Sequence, residues 1–358
     1  MSYSANFQKE KAEAHARSNM LGTAILATFT IIFCILIGVV VVKADVPQRG
    51  FQIGTYPVPT SQIQLSVKDA YTMFGSNVVR YQIVDPTITN ETPIEDYYEW
   101  WDGKITELIE VLRYIKETHI PIQVIVDMHT APGGVIQKHW GAQHWVASKE
   151  GGDTWSAMWV HAINRINATP WANKVLAWEP VNEPAAKSSR GLWNKYRKLI
   201  RQLRNITDKP IIVSMARRDV QWYNKAKPFP ARLGEIWYTA HHYKPNDIGF
   251  YNILPQYDTV RYEKAIAKYK RKPYKAVRQH LRPLYKFSKK HNVRAFIGEF
   301  GVSREVPDKE RAFVFKTTLE QFNNWGFSWT IHALNEHPIW QPTKHSLTTI
   351  KDAIHDNR

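Results

Sequence analysis

The sequence holds a single cysteine, Cys34, and places it inside an apolar run. No intrachain disulfide and no cysteine metal cluster is therefore available, and thiol redox chemistry is nearly excluded. A domain of this size buries enough apolar surface without covalent staples, so the shortage does not argue against a location outside the cytoplasm. Glycine-rich phosphate loops are also missing, since neither G-x-G-x-x-G nor G-x-x-x-x-G-K-[ST] follows an early apolar run. There is no HExxH-like pairing, and a metal set built from Asp127, His129 and His241 lacks a third close ligand, so neither a metal nor a cofactor is expected.

What the chain has in plenty is aromatic residues and positive charge. Fourteen Trp and 17 Tyr give large buried area together with flat faces on which pyranose C–H groups stack. The net charge of +16 is concentrated: between Arg261 and Lys290 there are 12 Lys or Arg and one acid, Glu263. A long helix with a solvated Lys-rich face accounts for such a run. The sharper alternative is a patch that meets anionic lipid headgroups or an acidic polysaccharide.

Leu21 to Val42 is an uncharged run of 22 residues, and a bilayer core about 30 Å thick needs roughly 20. This predicts a single transmembrane anchor over 21–42 between a cytoplasmic tail, 1–20, and a short linker, 43–49. A cleaved signal peptide is the rival reading, but its apolar region runs only about 7 to 15 residues. Lys9, Lys11 and Arg17 precede the run while Lys43 and Arg49 follow it, which favours an inside N-terminus. The remaining domain, 50–358, then lies in the periplasm or outside the cell, where nucleic acid is no partner. The sequence sets no expectation for oligomeric state.

Within 50–358 short β-branched or aromatic runs alternate with amphipathic stretches. Eight strands are predicted: 50–54, 77–81, 122–128, 174–178, 211–215, 236–240, 293–298 and 327–331. Between them Ile105, Leu108, Leu112 and Ile115 keep helical spacing, as do Leu192, Tyr196, Leu199 and Leu203, and later Phe315, Leu319 and Phe322. Eight alternations predict an α/β fold, a (β/α)8 TIM barrel. The absent phosphate loop weighs against an open doubly wound sheet, and polar residues at the carboxyl ends of many strands suit a barrel rim.

Two of those ends carry carboxylates in unusual settings: Trp178-Glu179-Pro180-Val181-Asn182-Glu183-Pro184 on strand four and Phe296-Ile297-Gly298-Glu299-Phe300-Gly301 on strand seven. One rim brings both ends together. Glycoside cleavage needs such a pair, one carboxyl to protonate the departing oxygen and one to attack the anomeric carbon, about 5 to 5.5 Å apart when configuration is retained. A lone Glu at a strand end more often makes a surface salt bridge, and Glu179 is read as a structural hydrogen-bonding group.

These segments resemble the family 5 glycoside hydrolases, the cellulase-like branch of clan A, from Gly50 to about Asn357. Asn182-Glu183-Pro184 is similar to the family's Asn-Glu-Pro motif, which implies Glu183 as general acid/base and Asn182 as the group that binds the sugar 2-hydroxyl. Gly298-Glu299-Phe300 resembles the motif of the nucleophile. Asn77-Val78-Val79-Arg80 resembles the second-strand motif whose arginine contacts the nucleophile, and Asp127-Met128-His129 the third-strand motif with its substrate-side histidine. His241-His242-Tyr243 is similar to the family's His-x-Tyr and selects His241 for the cleft, since adjacent strand residues point to opposite faces. Trp329 matches the tryptophan that floors the subsite of the cleaved sugar. Arg80, helped by a Tyr243 hydroxyl, would keep Glu299 ionised, whereas Glu183 needs apolar walls or the charge of Glu299 to start protonated.

The resemblance implies a retaining hydrolase of a β-linked polysaccharide or oligosaccharide, most readily a β-glucan. The run from Asp127 to Gly134 is closer to the branch acting on β-1,3-glucans than to many β-1,4 cellulases. Ala216-Arg217-Arg218-Asp219 departs from the pattern by bringing charge to the rim, which speaks against a neutral glucan; an acidic exopolysaccharide is an alternative substrate. Transglycosylation and mannan hydrolysis would use the same residues, whereas a non-catalytic glycan-binding barrel would not need both glutamates. Trp140, Trp145, Trp155 and Trp222 are candidates for either sugar platforms or packing.

Overall fold

The computed structural model describes residues 46–54, 58–89, 91–132, 149–335 and 337–356. The expected anchor at 21–42 and its flanks, together with Trp140 and Trp145, lie outside the described residues. Among the described residues no helix is long and apolar enough to cross a membrane. Contacts group Pro47–Arg358 into one compact unit.

All eight expected strands form, as β1 (Arg49–Ile53), β2 (Val78–Ile83), β3 (Gln123–Met128), β4 (Val175–Glu179), β5 (Ile211–Val213), β6 (Ile236–His242), β7 (Ala295–Phe300) and β8 (Ser328–Ile331). They close in sequence order into a parallel barrel, with β8 paired back to β1. The crossovers are α1 (Thr60–Thr72), α2 (Ile94–Glu117), α3 (Lys149–Asn167) and α4 (Ser189–Leu203), then α5 (Thr259–Arg271) and α6 (Lys275–His291) before β7, and α7 (Asp308–Asn324) before β8; α8 (Lys344–His355) ends the domain. The β5–β6 connection has only short 3-10 turns. Pro228 and Pro230 fall in that connection, where each removes an N–H that an α-helix would use.

The basic stretch is not one long helix. It breaks between Arg271 and Lys275, where Pro273 can neither donate a helical hydrogen bond nor clear the preceding turn.

Strand periodicity sorts the core into two regions. Val78, Ile125, Ala177, Ile212, Trp237 and Phe296 meet inside the barrel, near its amino-terminal end. The alternate residues, among them Val79, Val126, Trp178 and Ile297, face outward into the larger core beneath the helices. Two residues further along the inward rows come Arg80, Asp127, Glu179 and Thr239, all buried. An apolar floor thus carries a polar layer, and the site stands on that layer.

Strand β7 departs from simple alternation. It pairs Ile297 with Ala240 but Glu299 with His241, and towards β8 Ile297 with Trp329 but Phe300 with Ile331. One extra residue, Gly298, therefore sits in β7 relative to both neighbours, a β-bulge. Its stranded backbone groups are satisfied by buried side chains: the carbonyl accepts from Gln52 Nε2 at 3.0 Å and Thr330 Oγ1 at 2.6 Å, and the N–H donates to Thr239 Oγ1 at 3.2 Å.

Candidate active site

The bulge decides where Glu299 points. Strict alternation from Phe296, which faces inward, would turn Glu299 out towards the helices. The extra residue brings it level with His241, and Phe300 then joins the outer core.

Arg80 is the hub. Its buried guanidinium donates to Glu179 Oε2 at 2.6 Å, to Glu299 Oε1 at 3.1 Å and to Asn182 Oδ1 at 2.9 Å. Its Nη2 also lies 3.0 Å from Asp127 Oδ2. Burial pulls the guanidinium pKa down, yet Asp127, Glu179 and Glu299 together hold it above its ordinary value. One cation among three buried carboxylates leaves excess negative charge. Burial accordingly pushes the Glu179 carboxyl up against the pull of Arg80.

Glu299 is treated oppositely. Burial raises its carboxyl, but His241 and Arg80 outweigh burial and hold it well below the usual carboxylate range. Tyr243 Oη donates to Glu299 Oε2 at 2.9 Å. Because that spends the only phenol proton, the 2.8 Å contact between Tyr243 Oη and His332 Nδ1 needs its proton from the imidazole. Burial, foremost, keeps His332 neutral down to about 3, so a neutral ring donates to the phenol and the phenol to the carboxylate.

Glu183 stands beside them, and the side-chain oxygens and nitrogens of Glu183, His241 and Glu299 include a set of three within 4.8 Å of one another. His241 Nδ1 is 2.7 Å from Glu183 Oε1 and 3.3 Å from Glu299 Oε2. Burial alone would lower the imidazole pKa, but Glu299 and Glu183 raise it to about 9. The ring thus carries a proton between two carboxylates. The trio also has the spacing of a three-ligand metal site. The set of Asp127, His129 and His241 does not come together as a metal site among the described residues.

The loop that carries Glu183 is held under strain. Glu183 has φ 37°, a left-handed conformation costing a non-glycine residue about 1–3 kcal/mol, and Pro184 after it disfavours the right-handed helical alternative. Asn182 N–H donates to Met128 O at 3.0 Å, and Pro184 O accepts from Arg217 N–H at 2.8 Å. Two indoles of α3, Trp155 and Trp159, donate to Pro180 O at 2.8 and 3.0 Å. Trp155 is therefore a buried anchor for this loop and no sugar platform, and Trp222 packs against Trp193. Arg217 and Arg218 follow each other at φ 53° and 57°, which brings Arg218 Nη1 to 3.6 Å from Glu183 Oε1. The expected apolar walls around Glu183 are in fact His241 and Arg218.

His129 and Asn182 support the ring. His129 Nδ1 lies 2.8 Å from Asp127 Oδ2, and Asn182 Nδ2 lies 3.2 Å from His129 Nε2. With Arg80, these contacts set the orientation of the Asn182 amide.

Seven of the eight sequence candidates, Arg80, His129, Asn182, Glu183, His241, Tyr243 and Glu299, converge on this rim. Trp329 does not. It is fully buried in the outer core, its Nε1 donating to Asn323 Oδ1 at 3.0 Å, because Ser328 and Thr330 occupy the inward parity of β8. The position at the cleft is His332, stacked on Trp340 at 5.5 Å between ring centroids. Residue counting from Thr330 would have found it. His242 takes the outward face as expected, with its Nδ1 3.0 Å from His280 Nδ1.

A barrel whose rim sets a buried, cation-held carboxylate beside a second carboxylate has the equipment of a glycoside-cleaving enzyme. The sequence model of the cellulase family, glycosyl hydrolase family 5, matches residues 43–338, and the chain belongs to that family of glycosyl hydrolases. No curated protein matches it. Among solved structures, the cellulose synthase subunit Z of Clostridioides difficile is 18% identical, with a TM-score of 0.61 over 87% of this chain and 100% of that one. A hyperthermophilic endo-β-1,4-glucanase in complex with substrate is 16% identical, with a TM-score of 0.62 over 86% and 97% of the two chains. Thermotoga maritima Cel5A in complex with cellobiose is also 16% identical, with a TM-score of 0.61 over the same shares. At these identities the likeness is one of fold.

Proposed function

We propose that this enzyme hydrolyses a β-linked polysaccharide of the glucan type with retention of configuration, Glu299 acting as nucleophile and Glu183 as general acid/base. The observation that carries this reading is the approach of the two carboxylates around His241 to within 4.8 Å. One oxygen of each carboxylate is thus close enough for the pairing of about 5–5.5 Å that accompanies direct attack, rather than the about 6.5–9.5 Å that an inverting enzyme leaves for water. In the first step Glu183 gives its proton to the glycosidic oxygen, the C1–O bond breaks, and a Glu299 oxygen bonds to C1. In the second, Glu183 takes a proton from water, the water oxygen bonds to C1, and the C1–Glu299 bond breaks.

His241 supplies the charge logic. His241 Nδ1, 2.7 Å from Glu183 Oε1, is placed to supply Glu183 with the proton that passes to the glycosidic oxygen. Arg80 and the Tyr243 hydroxyl keep Glu299 ionised until it is consumed. Glucan as the polymer is supported by family membership and by the glucanases that share the fold. The 21–42 segment is read as a single-pass anchor with the N-terminus inside and the barrel outside the cytoplasm.

Replacing Glu299 with Ala should lower turnover of a β-glucan by about 10⁴-fold or more, and added azide should restore it as a glycosyl azide of inverted configuration. Near-normal turnover without azide would remove Glu299 from the nucleophile's role.

A further inference from the structure

The basic stretch builds a groove that the reaction leaves unused. It has a volume of about 1010 Å³ and is lined by six cations, Lys244, Lys264, Lys268, Arg271, Lys272 and Lys275, besides Arg261. That is the upper end of the roughly 300–1,000 Å³ typical of ligand pockets. Its one acidic wall residue, Asp247, is already engaged by Arg261 Nε at 2.8 Å. Among the described residues, none of the six has a carboxylate partner within ion-pairing distance.

The fold arranges this convergence. Helix α5 buries Tyr262, Ile266 and Tyr269, and α6 buries Val277, Leu281 and Leu284, which leaves their cations outward. The break at Pro273 lets both helices border one concavity. Between the cations the walls include the half-buried Pro245, Ala265 and Ala276, small apolar surfaces suited to sugar C–H faces. Six mutually repelling charges in one concavity cost stability.

The groove lies beside the carboxyl end of β6, the strand that carries His241. Lys244 follows Tyr243, whose hydroxyl donates to Glu299. His280, also in the groove wall, pairs with His242, the neighbour of His241. Burial, then Lys244 and Arg218, hold the His280 ring neutral down to about 4. Arg218 also stands 3.6 Å from Glu183.

We propose that this groove binds the carboxylates of an acidic polysaccharide, taking the part of the strand that extends past the cleavage point, so that the preferred substrate is an anionic β-linked glycan. The proposal rests on the hydrolase reading for the cleavage but not for the binding. A planar lipid surface fits less well, because a concavity holds its deep cations back from a plane and offers a strand contact along its length.

The test uses the full chain and two charge-matched triple variants. One, Lys264→Gln with Lys268→Gln and Lys272→Gln, empties the groove of three charges. The other, Lys286→Gln with Lys289→Gln and Lys290→Gln, removes three from the far end of α6. Affinity for polygalacturonate, carboxymethyl-cellulose and neutral hydroxyethyl-cellulose is measured across a salt series. The unmodified chain should hold the two anionic polymers more tightly than the neutral one and weaken with salt. The groove variant should lose about tenfold or more of that affinity and the control less than about threefold. Equal losses in both variants, equal retention of the neutral polymer, or groove-dependent binding to phosphatidylglycerol vesicles that exceeds binding to both anionic polymers would overturn the proposal. Failure of azide rescue at Glu299 with groove binding intact would instead sink the hydrolase reading alone.

Discussion

His241 is the side chain on which the chemistry and the pH response meet. Its proton is held by Glu183 and Glu299 up to about 9, so the cleft should lose its acid as pH rises through that value. The expected outcome is a kcat/KM profile with an alkaline limb near 9 that His241→Asn moves or abolishes; a limb at an unchanged position in the variant would assign it to another group. The same linkage bears on stability. An unfolded histidine releases its proton near about 6.5, so the ring's contribution to stability is complete below that pH and is lost as pH rises through about 9. Arg80 is a different case, a fully buried charge facing three carboxylates. Such a cluster is weak evidence of stability, yet losing its single guanidinium would strand the buried acids at a cost of about 3–5 kcal/mol. At this scale most of the site was legible, because polar residues in or just after the carboxyl halves of barrel strands are not needed for packing. Trp329 was not: a matching residue type says nothing about strand parity, and His332 holds the inward place.

Among the elements, β7 is the one on which the site depends. A Cβ added to Gly298 would come within 2.9 Å of Thr239 Oγ1 and 3.0 Å of His241 Nε2. Gly298→Ala should therefore displace the Thr239 hydroxyl that holds the bulge N–H and press on His241. Turnover is expected to fall by about 10²-fold, the cost of an ångström-scale misplacement, with little change in the far-ultraviolet circular dichroism spectrum. Unimpaired turnover would mean that the bulge tolerates a side chain and does not set the nucleophile. The bulge had a sequence signal, since an isolated Gly inside a strand pattern marks one. What the pattern does not supply is the set of partners, Gln52, Thr239 and Thr330, that arrive from three other strands. The eight strands themselves were readable because barrel strands are short, buried and rich in β-branched residues. The division of the basic stretch into α5 and α6 was missed, because the charge pattern alone reads as one long helix and gives Pro273 no weight, while Pro283 sits inside α6 without ending it.

For the whole molecule, the proposed anchor and the barrel make a joint prediction. The full chain should sediment with membranes, resist extraction by high salt and alkali, dissolve in detergent, and expose its barrel to protease added outside intact cells. Recovery in the soluble fraction, or a mature N-terminus that follows 21–42, would remove the anchor. A tether would hold a polymer-cutting barrel where chains leave or meet the cell surface, and the basic groove would then select chains by charge before cleavage. The fold was legible at this scale because alternation and length leave few architectures. The groove was not, since its concavity arises from how two helices pack and only the count of lysines shows in sequence.

The retaining reaction through Glu299 can be tested most directly by trapping its intermediate. The full chain, incubated with a 2-deoxy-2-fluoro glycoside bearing an activated leaving group, is digested and its peptides are weighed. The account predicts a stoichiometric glycosyl adduct on the peptide containing Glu299, with turnover lost in step. A catalytically active enzyme that forms no adduct and releases product of inverted configuration, or one labelled at a different carboxylate, would contradict it.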